Sequence, residues 1–276
     1  MIKFAPRSTA LIETAHSPTS RQPHPAARAT EPRPSARCPP AATHTLRQNS
    51  LLAALENDPR ERLAEHLSWV PLTAGEVLYE SGCRLKAAYF PTSAMISLSN
   101  VTADGKSNEL ALIGSEGLAG GSLLLGAEST PHRMVVQAAG YALRIPADAL
   151  KFEFHRGGPL QHSVLRYTQS LLTQICQSAV CNRFHCVQEQ FTRRLLSTLD
   201  RANSSEVYVT HENMAHALGV RRESITAAAG SLQRAGVIDY HRGRIRVLDR
   251  GQLESLACEC YHITHREFAC RSVAAI

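Results

Sequence analysis

The spacing of apolar residues changes once along this chain, and the change limits the folds that the chain can adopt. Between residues 76 and 145, short apolar or alternating runs are separated by glycines, a pattern typical of β-strands joined by tight turns. From Leu160 onward, apolar residues recur every three or four positions, which is the repeat of an α-helix. We therefore predict an α+β protein in which a β-rich domain precedes a helical one.

The β-rich segment is predicted to fold as a small roll. Its apolar runs are short and are bounded by glycine turns such as Asp104-Gly105, which suits a β-roll of the jelly-roll kind. We assign residues 46–158 to this domain and expect a short helix between residues 51 and 67. The predicted strands cover residues 76–82, 88–100, 108–113 and 133–145.

Residues 159–186 are predicted to form one long helix, because Pro159 suits a first helical turn. Its apolar residues form a narrow stripe, which either packs on the same chain or pairs with a second copy of it. The polar character of the other faces favours pairing. We therefore expect a homodimer joined by Leu160, Val164, Tyr167, Leu171 and Ile175.

Residues 187–257 are predicted to form a helix-turn-helix followed by a β-hairpin. Thr210 is a suitable N-cap for the first helix, and the small Ala215 followed four residues later by Gly219 is typical of the turn between two closely crossing helices. Two apolar runs flank the turn Arg242-Gly243, which predicts a basic hairpin directly after the second helix. A helix-turn-helix with such a wing is typical of DNA-binding proteins.

The start of the second helix carries the side chains best suited to read bases. Arginine can donate two hydrogen bonds to guanine, and glutamate can accept one from cytosine. A solvated Arg–Glu pair is the alternative interpretation of Arg222 and Glu223. We predict DNA contacts by Thr210, Arg221, Arg222, Glu223, Ser224, Thr226, Arg242 and Arg244.

The segments 210–224 (THENMAHALGVRRES) and 236–249 (GVIDYHRGRIRVLD) resemble the helix-turn-helix and wing of Crp/Fnr-type regulators. The order of β-roll, long helix and winged helix-turn-helix is also similar, so the resemblance covers roughly residues 50–257. It implies a sequence-specific, homodimeric transcription regulator of double-stranded DNA with a near-palindromic operator, in which Arg222 and Glu223 read the bases. RNA polymerase and an unknown small-molecule effector are further candidate partners.

Two departures from this family concern its cofactors. Members that bind cyclic nucleotides carry Gly-Glu-Leu and a later Arg-Ser/Thr-Ala, whereas this chain has Gly-Gly-Ser at residues 120–122 and His-Arg-Met at 132–134. We therefore predict no cofactor, with Arg133 as the remaining candidate for a cyclic phosphate and a cyclic-nucleotide-responsive regulator as the alternative function. Iron–sulfur members have an N-terminal cysteine cluster, whereas only Cys38 lies in this N-terminal segment.

Near the C-terminus, in the extension 258–276, a Cys-x-Cys pair offers donors of the kind that bind zinc. Because residues two apart diverge on a helix, we predict no metal there and treat Cys258, Cys260 and His262 as weak candidates. Three further cysteines (Cys176, Cys181 and Cys186) are spaced by five residues, do not share a helical face, and are predicted to be core or interface thiols.

The N-terminal residues 1–45 contain eight of the fourteen prolines and are predicted to be disordered. They also carry six Lys/Arg against two Glu, which accounts for most of the net charge of +6. No run of the chain is apolar and long enough for secretion or membrane insertion, so we expect a cytoplasmic protein.

Two functions of other classes are alternatives to a regulator. A cupin-like metalloenzyme needs several histidines in its barrel, but residues 70–146 contain only His132. We therefore predict no catalytic residues and no enzyme activity. A ligand-binding module whose helix-turn-helix contacts only proteins is the third alternative.

Overall fold

A computed structural model describes residues 43–273 of the protein and the side chains of residues 45–268. The predicted disordered segment 1–45 lies almost entirely outside the described residues, and its last residues belong to the first helix. The helix expected between residues 51 and 67 is two helices, of which the first begins at Ser50, where the buried side chain of Asn49 caps it by accepting from the Leu51 N–H. The three opening helices are α1 (Thr43–Leu46), α2 (Ser50–Ala53) and α3 (Asn57–Ala64).

The β-domain is a roll of two antiparallel sheets, as predicted. One sheet has the strand order β1-β7-β3 and the other β2-β6-β4-β5. Two predicted runs, 88–100 and 133–145, are each a pair of strands broken at a turn. The strands are β1 (Ser68–Leu72), β2 (Val77–Tyr79), β3 (Ala87–Pro91), β4 (Met95–Val101), β5 (Ser107–Ile113), β6 (Arg133–Ala138) and β7 (Gly140–Pro146).

Three helices connect the roll to the second domain, and the middle one is 26 residues long. They are α4 (Ala147–His155), α5 (Pro159–Phe184) and α6 (Val187–Ala202). Within the described part of the chain, none of the helices is both long and apolar enough to cross a lipid bilayer.

The structure corrects the predicted dimer seam on α5. Leu160, Val164 and Tyr167 are buried in the core of the β-roll of the same chain, and Leu171 and Ile175 pack against that core. The stripe is apolar because it covers the roll, which leaves Leu160, Val164 and Tyr167 unavailable to a second copy.

A different face of α5 is apolar and exposed. Leu165, Leu172 and Val180 keep 46%, 53% and 40% of their surface in contact with solvent, and Cys176 is exposed beside them. Leu165 and Leu172 are seven residues apart, which is the repeat of a coiled-coil seam. This face, defined by Leu165, Leu172, Cys176 and Val180, is called the outer seam below.

The second domain is the predicted winged helix-turn-helix, with its own core around Phe191, Leu195 and Ile225. Its small antiparallel sheet has the order β8-β10-β9. The elements are β8 (Glu206–Tyr208), α7 (His211–Leu218), α8 (Arg222–Arg234), β9 (Ile238–His241), β10 (Arg244–Val247), α9 (Arg250–Ser255) and α10 (Glu259–Val273).

Two ion pairs join the domains. Arg194 of α6 lies 2.6 Å from a carboxylate oxygen of Glu109 in β5, and both side chains are at least 93% buried. Arg201, also in α6, lies 2.8 Å from Glu116 in the loop after β5. The helix that carries the core of the DNA-binding domain is therefore attached directly to the roll.

Gly117 shows how closely α5 approaches the roll, and it gives a test of this packing. A Cβ at Gly117 would lie 2.5–2.6 Å from the buried ring of Tyr167. We expect Gly117→Ala to lower the free energy of unfolding by about 1–3 kcal/mol in denaturant titrations, because the ring has to move out of a packed core.

Gly121→Ala is the matched control, since a Cβ there meets its nearest neighbour, Leu118, at 3.9 Å. We expect no loss of stability in this variant. Equal destabilisation of the two variants would contradict the packing of Tyr167 against Gly117.

Candidate nucleic-acid interface

The turn of the helix-turn-helix is set by Gly219. Its backbone has φ +66°, the left-handed region that suits glycine, and its N–H donates to the Ala215 carbonyl to end α7. Arg221 is extended at the N-cap of α8 with no capping bond from its side chain. The recognition helix therefore begins at Arg222.

The first turn of α8 presents charged side chains to solvent. Arg221, Arg222 and Glu223 are exposed, and Ser224 is half-buried. Further along the same helix, the small residue Ala227 is exposed and Gly230 is half-buried. A charged tip followed by small side chains allows the helix to enter a groove deeply.

Thr210 and Thr226, both predicted DNA contacts, have structural partners. The Thr210 hydroxyl oxygen accepts from the Asn213 N–H at 3.1 Å and caps α7, as predicted. The Thr226 hydroxyl donates to the Arg222 carbonyl and lies 3.0 Å from Nδ1 of His211. Thr226 thus holds its own helix and α7 together rather than leaving its hydroxyl free.

His211 connects the two helices with the wing, and its role was not foreseen from the sequence. Its ring stacks on Tyr240 of β9 with the centroids 4.3 Å apart, while its Nδ1 contacts Thr226 of α8. Burial, followed by the positive charge of Arg222, lowers the pKa of His211 below its ordinary value of 6.5. The imidazole is therefore neutral at pH 7 and adds no charge to the surface.

The tip of the wing is a two-residue turn with an arginine in an uncommon conformation. Arg242 has φ +48° and Gly243 has φ +83°, which is the geometry of a type I′ turn. The left-handed conformation costs a side-chain-bearing residue about 1–2 kcal/mol. Arg242 is exposed at this tip. The Val209 N–H donates to the Gly243 carbonyl at 2.7 Å, so the tip lies beside the start of α7.

Arg244, also a predicted DNA contact, is paired with a carboxylate of the same domain. Its Nε and Nη2 lie 2.5 Å from the two carboxylate oxygens of Glu206 in β8. This hydrogen bonding lowers the pKa of Glu206 and raises that of Arg244, so the two stay oppositely charged. Sequence reasoning missed Glu206 because it lies 38 residues away and pairs with Arg244 only across the sheet.

Two family models match the chain, one for each domain. A cyclic nucleotide-binding domain matches residues 69–156, and a Crp-like helix-turn-helix domain matches residues 190–256. Together they match more than half of the chain. The chain belongs to the Crp/Fnr family of DNA-binding transcription regulators.

Solved structures of bacterial regulators share this fold at low sequence identity. TTHB099, a CRP-family transcriptional regulator from Thermus thermophilus, is 19% identical with a TM-score of 0.59, over 68% of this chain and 96% of that one. FixK2 from Bradyrhizobium japonicum is 13% identical with a TM-score of 0.60, over 70% and 98%. CLP from Xanthomonas campestris, a c-di-GMP-responsive global regulator, is 15% identical with a TM-score of 0.58, over 68% and 97%. No curated protein matched the sequence.

Arg133, the candidate cofactor-binding residue in this Crp/Fnr chain, is already paired. Its Nε lies 3.1 Å from Oε2 and 3.2 Å from Oε1 of Glu80. A cyclic phosphate at this arginine would have to displace that carboxylate or suffer its repulsion.

The weak metal candidates are placed differently from one another. Cys258 and Cys260 lie together with Cys181 and His185 from the end of α5. His262 is exposed, packs beside the Tyr261 ring and takes no part in this group. The sequence argument that the two cysteines diverge on a helix was wrong, because Cys258 precedes the first turn of α10.

The pKa of His211 gives a test of the junction between the helices and the wing. We expect its NMR titration to give a pKa below 6.5, and Arg222→Ala to raise that pKa, since Arg222 opposes protonation. The unfolded chain binds more protons than the folded one between pH 6.5 and the folded pKa, so acidification through this range destabilises the fold.

His211→Gln should reduce this loss of stability, measured by thermal unfolding between pH 7.5 and pH 5.5. His132 is the internal reference, because its pKa is lowered by burial alone and should not respond to Arg222→Ala. A His211 pKa at or above 6.5 in the unmodified protein would contradict the burial of its ring against Tyr240.

Proposed function

We propose that this regulator binds a near-palindromic operator as a homodimer, with α8 in the major groove and the wing tip against the adjacent phosphates. The observation that carries the proposal is the exposed group Arg221-Arg222-Glu223 at the start of α8, connected through His211 to the wing that bears Arg242. Two such groups in a dimer would meet successive major grooves about one duplex turn apart.

Each charged residue has a separate proposed role. Arg222 donates two hydrogen bonds to guanine O6 and N7, and Glu223 accepts from cytosine N4 or orients Arg222. Arg221 and Arg242 contact phosphates, with Ser224 and Thr210 as hydroxyl donors nearby. The DNA phosphates repel a carboxylate on this surface. We therefore assign Glu223 to base reading and not to general electrostatic attraction.

Arg222→Ala tests base reading. With a duplex selected from random sequences by the unmodified protein, we expect the variant to bind about 1–3 kcal/mol more weakly, because both bonds to guanine are lost. Binding to unselected DNA should change much less. Fluorescence anisotropy at one fixed salt concentration measures both affinities.

Arg234→Ala is the matched control, since Arg234 is exposed at the far end of the same helix. It should lower both affinities slightly and equally. If Arg222→Ala also weakens selected and unselected DNA by the same factor, Arg222 is a phosphate ligand and the proposed readout is wrong.

We propose the outer seam of α5 as the dimer interface, in place of the buried stripe. Its leucines are exposed at heptad spacing on the longest of the described helices, whereas a contiguous apolar face on a soluble protein is normally covered by a partner. The same face of a second copy offers the matching surface, as two-fold symmetry requires.

Leu172→Asp tests this interface. We expect the dissociation constant of the dimer to rise at least about tenfold in sedimentation experiments, because two like charges would face each other in an apolar seam. The secondary structure should be unchanged, since Leu172 is 53% exposed within one chain.

Phe152→Asp is the matched control, because Phe152 is 63% exposed on α4 and lies outside the outer seam. It should leave the dimer intact. A monomeric unmodified protein, or a Leu172→Asp variant that dimerises as tightly as the unmodified one, would overturn the assignment of the interface.

We also propose that DNA binding does not depend on cyclic AMP, because Glu80 occupies Arg133. Millimolar cyclic AMP should therefore leave the affinity for the selected duplex unchanged.

CLP responds to c-di-GMP, so an effector of other chemistry stays compatible with this fold. RNA polymerase is the proposed partner for activation, and no catalysis is proposed, since the roll segment 70–146 has one histidine.

A further inference from the structure

Four metal-binding side chains meet where the long helix ends. Cys181 and His185 come from the last turn of α5 and the residue just after it, and Cys258 and Cys260 come from the start of α10. Their four donor atoms all lie within 4.8 Å of one another. The sulfurs of Cys181 and Cys258 are 3.7 Å apart, and Cys260 Sγ lies 3.6 Å from His185 Nδ1.

The Cys181–Cys258 and Cys260–His185 separations match those of a tetrahedral zinc site. With Zn–S bonds of about 2.3 Å and Zn–N bonds of about 2.05 Å, a tetrahedron places two sulfurs about 3.75 Å apart and a sulfur and a nitrogen about 3.55 Å apart. An iron–sulfur cluster spreads its ligands over different iron atoms, which needs wider spacing than this group has.

The backbone explains how distant residues converge. Cys181 and His185 are four residues apart, so they lie above one another on one side of the helix end. Cys258 is not helical and Cys260 is the second residue of α10, which lets a Cys-x-Cys pair turn both sulfurs to the same point. The two halves of the group are more than seventy residues apart in the sequence.

We propose that Cys181, His185, Cys258 and Cys260 bind one Zn²⁺ ion in a structural Cys₃His site. The site is closed, because all four tetrahedral positions are filled by protein and the three cysteines are 0%, 5% and 0% exposed. Closed sites of this kind stabilise a fold, whereas catalytic zinc sites keep one position open for water.

The surroundings supply an outer shell of the expected chemistry. Nε2 of His185 lies 3.3 Å from a carboxylate oxygen of Glu259, which fixes the ring so that Nδ1 presents its lone pair to the sulfurs. Three thiolates on Zn²⁺ carry a net charge of −1. Arg193 is 6% exposed, its charge acts on all three cysteines, and no carboxylate of the described side chains forms an ion pair with it.

The position of the site gives it a consequence for DNA binding. His185 is the C-cap of α5, two residues before α6 begins, so the ion lies at the junction of the long helix and the DNA-binding domain. It ties α10 to that junction. Zinc therefore fixes the angle at which the helix-turn-helix leaves α5.

Metal analysis of the full-length protein purified under reducing conditions tests the proposal. We expect about one zinc per chain by mass spectrometry, and less than a tenth of that in Cys258→Ser and in Cys181→Ser. Cys176→Ser is the matched control, because Cys176 is an exposed cysteine of the same helix, and it should retain the metal. Less than about 0.1 zinc per chain in the unmodified protein overturns the proposal, as does undiminished zinc in the two ligand variants.

A second measurement covers variants that do not fold. His185→Cys keeps four ligands and should retain zinc, and replacing its zinc by Co²⁺ should give a visible spectrum of tetrahedral cobalt with stronger sulfur-to-metal charge transfer than in the unmodified protein. An octahedral cobalt spectrum contradicts the site. So does metal-free protein in which peptide mapping shows a disulfide between Cys181 and Cys258.

Discussion

The buried ion pair between Arg194 and Glu109 is the constraint on which the arrangement of the two domains depends. Neither charge could leave water without the other, because an unpaired charge in this interface would cost several kcal/mol. The pair attaches α6 to β5, the edge strand of the roll's larger sheet. The same helix contributes buried side chains to the core of the helix-turn-helix. A single helix, α6, therefore contacts both the roll and the core of the helix-turn-helix.

Much of the fold follows from local sequence signals. The N-cap at Thr210, the left-handed Gly219 and the change from a two-residue to a helical repeat depend on neighbouring residues, and the structure has them where the sequence predicts them. The ends of individual strands were predicted less well, because turns such as the one before Met95 interrupt a run predicted as one strand. Local patterns therefore give the order and type of the elements better than their ends.

Features that depend on distant partners could not be predicted in this way. An apolar stripe on α5 shows that something covers it, but the period is the same whether the cover is the roll or a second chain. The pairing of Arg244 with Glu206 and the convergence of Cys181 with Cys258 require the tertiary fold. The role of His211 could not be predicted, because its partner Tyr240 comes after the whole recognition helix in the sequence.

The wing is joined to the motif on both sides: β8 and the Val209 N–H bond to β10 and the turn on one side, and the His211 ring stacks on Tyr240 of β9 on the other. The distance between its tip and the start of α8 is therefore set by the protein. In the proposed binding mode, an operator whose groove width does not match that distance has to bend or narrow in order to contact both. Sequence selectivity in that mode extends to base pairs that no side chain contacts, because the stiffness of the DNA between the two contacts depends on its sequence.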